Sequence, residues 1–336
     1  MQRFAMLYVL LAFWNTTMTH AGTPIVIAHR GGSGYLPEHS LEAKALAYGQ
    51  GADFIEQDVV LSKDGIPIVL HDIHVDTVTD VATVFPQRKR EDGRYYVIDF
   101  TLAELKQLHL NERINLKTGK RVFPHRFPAG KSSFRIPTLA EEIELIQGLN
   151  ASTGKSVGIY PEIKQPAWHK QQGQDITPIV LQILKTYGYT DANHNIYLQC
   201  FDPTETRRIR EELGCELKLV QLIGSNSWND AGVDYDLMRT AEGIKSISEY
   251  ADGIGPWMPH IVTGRDGDGQ PIITDLVKNA HAAGLVVHPY TFRKDELPEY
   301  AKSFDDAMTI FCEDAKIDGL FTDFPDLAVG FLKTEQ

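Results

Sequence analysis

The chain has 336 residues, with 33 Lys and Arg against 45 Asp and Glu, a formal net charge of −12, and 43% apolar and 23% charged residues. These proportions exclude a disordered or collagen-like chain. The acidic balance argues against a nucleic-acid binder or a protein held electrostatically on a membrane, since both carry a basic face.

The first element is a leader. Arg3 precedes an apolar run from Phe4 to Trp14, and a short polar stretch then ends in Thr19-His20-Ala21. This is the pattern of a signal peptide over residues 1–21, cut after Ala21. Eleven apolar residues are too few to span a bilayer, which takes about 20. No Cys near the cut suggests a lipid anchor, and no later stretch is long and apolar enough to cross a membrane. The mature chain is therefore expected to begin at residue 22 and to be periplasmic or secreted.

Eight short β-rich runs follow, at 24–28 (PIVIA), 54–60 (FIEQDVV), 157–163, 195–200, 216–222, 252–255, 285–289 and 318–322. Helical patterns lie between most of them, at 41–49, 138–149, 176–187, 204–213, 238–250 and 274–283. Strands alternating with helices indicate βα units and a parallel sheet. Eight units predict an α/β fold, a closed TIM (β/α)8 barrel over residues 22–336. Thr138, with Glu141 three residues on, reads as a capping box, and Asp202-Pro203 as a second helix start. Gly214 and Gly284 read as the glycines that close helices.

The second and third runs stand too far apart for one crossover. A short strand at 67–70 and a stretch from 73 to 135, rich in charge, Pro and aromatics, fill the gap. We read 73–135 as a small insertion subdomain between the second and third barrel units, lying over the strand ends.

In such barrels the chemistry sits at the C-terminal ends of the strands. Those ends carry His29-Arg30-Gly31-Gly32, Glu56-Gln57-Asp58, His71-Asp72, Glu162-Ile163-Lys164, His288-Pro289 and Thr322-Asp323. Glu56 and Asp58 are two apart on a strand and share a face. Two inward carboxylates repel unless one is protonated or a cation lies between them. With Glu162 they form an all-oxygen set suited to Ca²⁺ or Mg²⁺ rather than zinc. A structural ion pair with Arg or Lys is the other reading of the same residues. His29 and His71 are candidates for acid and base. Arg30 can fork onto a phosphate, Lys164 adds charge beside Glu162, and the nearby glycines allow close backbone approach.

Asp266-Gly-Asp268-Gly resembles the start of a calcium loop, but Pro271 and Val277 stand where an EF-hand needs Gly and Glu. It reads as a turn. Cys200, Cys215 and Cys312 fit no zinc spacing and read as structural thiols, at least one unpaired.

The ordered set His29-Arg30-Gly31, Pro37-Glu38-His39-Ser40, Glu56-Gln57-Asp58, Leu70-His71-Asp72 and Pro161-Glu162-Ile163-Lys164 resembles the glycerophosphodiester phosphodiesterases. The likeness runs on to His288-Pro289-Tyr290 and to residues 319–325 (GLFTDFP), and is strongest to the bacterial periplasmic members. It implies metal-dependent hydrolysis of glycerophosphodiesters to sn-glycerol 3-phosphate and an alcohol. Glu56, Asp58 and Glu162 would bind the metal, calcium first and magnesium as the alternative. His29 and His71 would be general acid and base, with Arg30, Lys164 and His288 on the substrate. Many members have Asn-Thr where this chain has His39-Ser40, so no catalytic role is expected of His39, and Glu38 would order the loop or touch the metal shell.

Two other functions use the same residues. A phosphatidylinositol-type phospholipase C would need an apolar rim, for which Trp257, Met258 and Ile261 are candidates. An exported glycerophosphodiester-binding protein would have no use for the histidine pair. The expected partner is thus a small molecule, neither nucleic acid nor a membrane entered stably.

Overall fold

The computed structural model describes residues 22–228 and 232–334, so the predicted signal peptide at 1–21 lies outside the described residues. Among the described residues, eight parallel strands alternate with helices. The strands are β1 (Ile25–Ala28), β2 (Phe54–Leu61), β3 (Gly158–Ile163), β4 (Tyr197–Cys200), β5 (Lys218–Ile223), β6 (Gly253–Pro256), β7 (Val286–Val287) and β8 (Gly319–Thr322). Their order is β7-β6-β5-β4-β3-β2-β1-β8. The Asp318 amide donates to the Val287 carbonyl, and that of Phe321 to Pro289, each at 3.0 Å, which draws the two ends together. The result is a nearly closed TIM-type α/β barrel, as the alternation of runs predicted.

Alternation along each strand sorts side chains between two cores. On β2, Ile55 and Val59 face the helices and pack with Ala47, Ile143 and Ile146. Phe54 joins Ile27, Tyr160, Val220 and Phe321 inside the barrel. Glu56 and Asp58 share the parity of Phe54, so β2 carries an aromatic plug below and two carboxylates above. Gly158 is the position where a Cβ would run into the Phe54 ring. A glycine there lets the plug sit beneath the charged layer.

The helices begin where local chemistry says they should. Helix α1 (Leu41–Gln50) is capped by Ser40, which accepts from the Ala43 amide at 3.2 Å. Helix α2 (Leu139–Thr153) carries the full capping box of Thr138 and Glu141. Asp202 caps helix α3 (Pro203–Glu211) by accepting from the Thr204 and Glu205 amides. Gly214 and Gly284 take left-handed conformations after their helices, at φ +62° and +80°. The run 238–250, read as one helix, is two pieces, Tyr235–Met238 and Ala241–Ile247. Thr240 breaks it by capping the second piece at the Gly243 amide. A helix at Phe304–Met308, running into a wider turn over Thr309–Asp314, carries no period that we read in the sequence.

The strand Pro67–Val69 pairs antiparallel with the end of β2. Beyond it, Val75, Val78, Val97, Phe100, Leu105, Leu108, Leu110 and Phe134 form a separate hydrophobic cluster with Val60, Ile68 and Leu70. The segment between residues 73 and 135 therefore rests on the upper part of β2. The Asp266 motif is the turn of a hairpin joining Val262–Arg265 to Pro271–Ile273. Asp266 Oδ1 accepts from the Asp268 and Gln270 amides. Cys200, Cys215 and Cys312 are free thiols.

Candidate active site

β2 and β3 run in register with Asp58 opposite Glu162. Glu56, Asp58 and Glu162 each place an oxygen within 4.8 Å of the other two. Their exposures are 3%, 1% and 4%, so solvent does little to separate the charges. Burial and then Asp58 raise Glu56 well above the usual carboxylate range. Burial, with Asp58 adding to it, lifts Glu162 to about 8 against the pull of Lys164. Burial also works against Asp58, but Lys164, His71 and His39 outweigh it and hold Asp58 well below its ordinary value.

Lys164 Nζ lies 2.7 Å from Glu162 Oε1 and 3.6 Å from Asp58 Oδ1, and Arg30 Nε lies 3.4 Å from Asp58 Oδ2. The Arg30 amide donates to Glu56 Oε2 at 2.8 Å, and Gln199 Nε2 donates to Glu56 Oε1 at 3.2 Å. Both sequence readings therefore meet here, since ion pairs and the three-oxygen cluster coexist. Crowding three carboxyls in one buried place is what pushes Glu56 and Glu162 toward their protonated forms, and a cation between the oxygens would relieve it. The set of oxygen donors alone fits a hard divalent ion.

His29 and His71 face the same cavity. His29 Nδ1 meets Asp323 Oδ1 and His71 Nδ1 meets Asp72 Oδ1, both at 2.6 Å. Both Asp groups are held well below the carboxylate range. Burial opposes this, and it is outweighed by Arg293, His29 and Arg126 at Asp323 and by His71 and Arg113 at Asp72. An ionised carboxylate only accepts, so each Nδ1 carries the proton and each Nε2 keeps its lone pair. His29 Nε2 points toward Glu56, 3.9 Å from Oε2. Burial and then Arg30 lower both rings to about 4, with Lys164 acting further on His71. Both imidazoles are thus neutral near pH 7 and able to take a proton.

The loop carrying His29 and Arg30 is tight. Arg30 has φ +59° and Gly31 φ +90°. A Cβ on Gly31 would lie 2.8 Å from the carbonyl carbon of Ala43 in α1. The Arg30 amide donates to Glu56 and the Arg30 carbonyl accepts from the His39 amide at 2.9 Å, so both sides of this left-handed residue are tied down against its cost.

The cavity measures about 890 Å³ and its lining is of two kinds. His29, Arg30, His71, Lys164 and the three carboxylates are charged or titratable. Phe201, Trp228, Trp257 and Tyr290 are aromatic, and Lys164 Nζ lies 5.6 Å from the centre of the Phe201 ring. The ring centroids of Phe201 and Tyr290 are 5.9 Å apart, and those of Trp228 and Trp257 are 5.5 Å apart. Such a lining accepts an anionic group against the charged side chains and a less polar or cationic group against the aromatic ones.

The structure thus brings His29, Arg30, Glu56, Asp58, His71, Glu162 and Lys164 together. His288 is apart from them. It is 1% exposed, does not line the cavity, and its Nδ1 meets the Tyr160 hydroxyl at 2.9 Å inside the barrel. The short β7 turns it toward the aromatic plug, which corrects the expectation of substrate contact. Ile261 is fully buried and Met258 nearly so, while Trp257 is half-buried on the cavity wall, so Met258 and Ile261 supply no exposed rim. No catalytic role is expected of His39, and its Nε2 lies 2.7 Å from Asp58 Oδ2 with Lys44 behind it, where it supports a carboxylate of the cluster. Asp323 stood at a strand end in the sequence without an assigned role, and Arg113 and Arg126 gave no signal, since their partners are distant in the chain.

Comparison with known proteins bears on this geometry. The family model described as "Glycerophosphoryl diester phosphodiesterase family" matches residues 29–327. A Haemophilus influenzae protein named glycerophosphodiester phosphodiesterase is 47% identical over 326 residues, 92% of this chain and 90% of that relative. A Treponema pallidum protein of the same name is 39% identical, over 93% and 92% of the two chains. A solved Oleispira antarctica phosphodiesterase, in complex with its product sn-glycerol-3-phosphate, is 20% identical with TM-score 0.63 and covers 93% of this chain and 97% of that one.

Proposed function

The chain belongs to the glycerophosphoryl diester phosphodiesterase family and is a phosphoric diester hydrolase of that kind, and from this premise we propose that it cleaves glycerophosphodiesters in a metal-dependent reaction with His29 and His71 as acid–base pair. The products are sn-glycerol 3-phosphate and the head-group alcohol. The observation that carries the reading is the meeting, in one cavity, of a buried three-carboxylate cluster and two imidazoles with free Nε2 atoms. That an enzyme of this fold holds sn-glycerol-3-phosphate as product supports the choice of product.

Glu56, Asp58 and Glu162 would hold the cation, which when bound supplies positive charge against the charge building on the phosphoryl oxygens. Ca²⁺ is the first choice, because it tolerates irregular oxygen sets better than Mg²⁺ does. Arg30 and Lys164, beside the cluster, receive the phosphodiester monoanion and fix its orientation. One neutral imidazole takes the proton of the attacking hydroxyl at its Nε2. The other takes a proton from solvent once the phosphodiester anion lies beside it, and gives that proton to the departing alcohol oxygen as its bond to phosphorus breaks. The aromatic side chains receive that alcohol.

We read residues 1–21 as a cleaved export signal, which would place the enzyme in the periplasm or outside the cell. We read residues 73–135 as an insertion subdomain of the barrel. The acid–base assignment is tested with His29→Ala and His71→Ala. Each should lower kcat by roughly 10²- to 10⁴-fold with an unchanged circular dichroism spectrum. Near-normal turnover in either folded variant would remove that histidine from the chemistry.

A further inference from the structure

Two arginines of the segment between residues 73 and 135 reach out of it and end on the carboxylates that hold the two histidines. Arg113 forks onto Glu38 through Nε and Nη2, at 3.0 and 2.6 Å, and its Nη1 donates to Asp72 Oδ2 at 2.6 Å. The other oxygen of Asp72 faces His71 Nδ1. Arg126 forks onto Asp295 at 2.8 and 2.9 Å, and its Nη2 donates to Asp323 Oδ2 at 2.8 Å. The other oxygen of Asp323 faces His29 Nδ1. One arrangement thus occurs twice, with a guanidinium on one carboxylate oxygen and an imidazole on the other. The arginine lies 41 residues from the aspartate in one case and 197 in the other.

We propose that Arg113 and Arg126 are positioning residues through which this segment sets the plane of both histidines. The inference rests on the reading of His29 and His71 as the acid–base pair. An aspartate held at one oxygen still turns about its terminal torsion, which is broad and roughly two-fold. A charged donor on the second oxygen fixes the carboxylate plane, and with it the direction of the imidazole and its Nε2. The guanidinium also keeps the carboxylate ionised, so the proton stays on Nδ1.

The two arms are unequal, and that makes the inference specific. Asp323 has a second guanidinium, Arg293 Nε at 2.6 Å, whereas Asp72 has, among the described residues, only the Thr77 hydroxyl, at 3.0 Å, as a further side-chain donor. Arg113 also serves the phosphate-binding Arg30, because Glu38 Oε1 accepts from Arg30 Nη1 at 3.1 Å. Arg113→Ala should therefore lower kcat and raise KM together, whereas Arg126→Ala should lower kcat alone, and less.

The test uses the calcium-loaded full-length enzyme and glycerophosphocholine. Arg113→Ala should lower kcat about 10- to 100-fold and Arg126→Ala about 3- to 10-fold. Calcium affinity by calorimetry should stay within about threefold of the parent, since neither arginine touches Glu56, Asp58 or Glu162. Guanidinium chloride at low millimolar concentration should restore part of the kcat of Arg113→Ala, and sodium chloride should not. In a His71→Ala background, Arg113→Ala should cost no further kcat, because the interaction it supports is already gone.

Two results overturn the proposal. One is kcat within twofold of the parent in both folded alanine variants. The other is a loss of kcat that follows loss of calcium binding and is not rescued by guanidinium. If an alanine variant does not fold, Arg113→Lys and Arg126→Lys keep the charge without the fork and take its place under the same criteria. Near-normal turnover of His71→Ala itself would instead sink the acid–base reading on which the proposal stands.

Discussion

His39 Nε2 lies 2.7 Å from Asp58 Oδ2, and on the other side of the same ring Lys44 Nζ lies 3.1 Å from Nδ1. A lysine ammonium only donates. Nδ1 of His39 is therefore an acceptor, the ring proton is on Nε2, and Nε2 donates to Asp58. Lys44 is fully buried; its ammonium also donates to the Glu56 carbonyl and forms an ion pair with Glu142, 3.1 Å from Oε2. One lysine on α1 thus ties β2, α2 and His39 together beneath the carboxylate cluster, and His39 holds one oxygen of Asp58 so that the other is left for a cation.

His39→Ala should weaken calcium binding about 10- to 100-fold, the usual effect of removing a hydrogen bond that orients a metal ligand. His39→Asn, whose amide still donates, should retain most of the affinity. Calorimetric titration of the metal-free protein decides it. An unchanged dissociation constant in His39→Ala would show that Asp58 needs no such support.

Glu162→Gln should abolish the gain in melting temperature that calcium gives the parent. Ligand binding to the folded state alone stabilises more the tighter it is, and this change replaces one of the cluster's three carboxylates by an uncharged, weaker amide donor. A differential scan with and without calcium reads it directly. An equal calcium shift in parent and variant would place the ion elsewhere.

Glu142 gives the stability a pH dependence of known sign. It is fully buried, and burial lifts its carboxyl to about 7 despite Lys44, from 4.5 in the unfolded chain. Between those values the folded state holds a proton that the unfolded state has released, so this contribution to stability is present below pH 4.5 and is lost as pH rises through about 7. Glu142→Gln keeps an oxygen facing Lys44 and does not titrate. Its urea midpoint relative to the parent should rise from about pH 4.5 to 7 and then level off. A constant difference across that range would contradict the assignment.

Turnover of water-soluble glycerophosphocholine should far exceed that of phosphatidylinositol in vesicles. Met258 and Ile261 are buried and only the half-buried Trp257 of the three reaches solvent, at the cavity wall, so they make no apolar rim between them. Trp257→Ala should raise KM for glycerophosphocholine several-fold with a smaller change in kcat. Comparable rates on vesicles and on the soluble substrate would favour the phospholipase reading.

The barrel was legible because each unit carries its own local signals. Thr138 with Glu141, Asp202 before Pro203, and Gly284 after its helix act within a few residues, and the alternation of Glu56 with Ile55 and Gln57 fixes which side chains turn inward. The seven residues that meet in the cavity lie next to strand ends, where βα order alone brings them together. What stayed hidden depends on pairings that no local pattern encodes. Arg113 and Arg126 look like surface charge until the chain folds them onto Asp72 and Asp323. Lys44 sits on a helix that reads as ordinary and becomes buried only because Glu142 and His39 receive it. His288 was misplaced for a related reason: β7 spans only Val286–Val287, and Tyr160, the partner that holds the ring, comes from β3.

The dependence of hydrolysis on the Glu56, Asp58 and Glu162 cluster is open to a coupled assay of sn-glycerol 3-phosphate release, run before and after exhaustive chelation and then with calcium or magnesium added back separately. Activity should vanish on chelation and return with calcium, and return less fully with magnesium. Full activity in the metal-free enzyme would contradict the metal reading of the three carboxylates and leave them as a structural ion-pair cluster with Arg30 and Lys164.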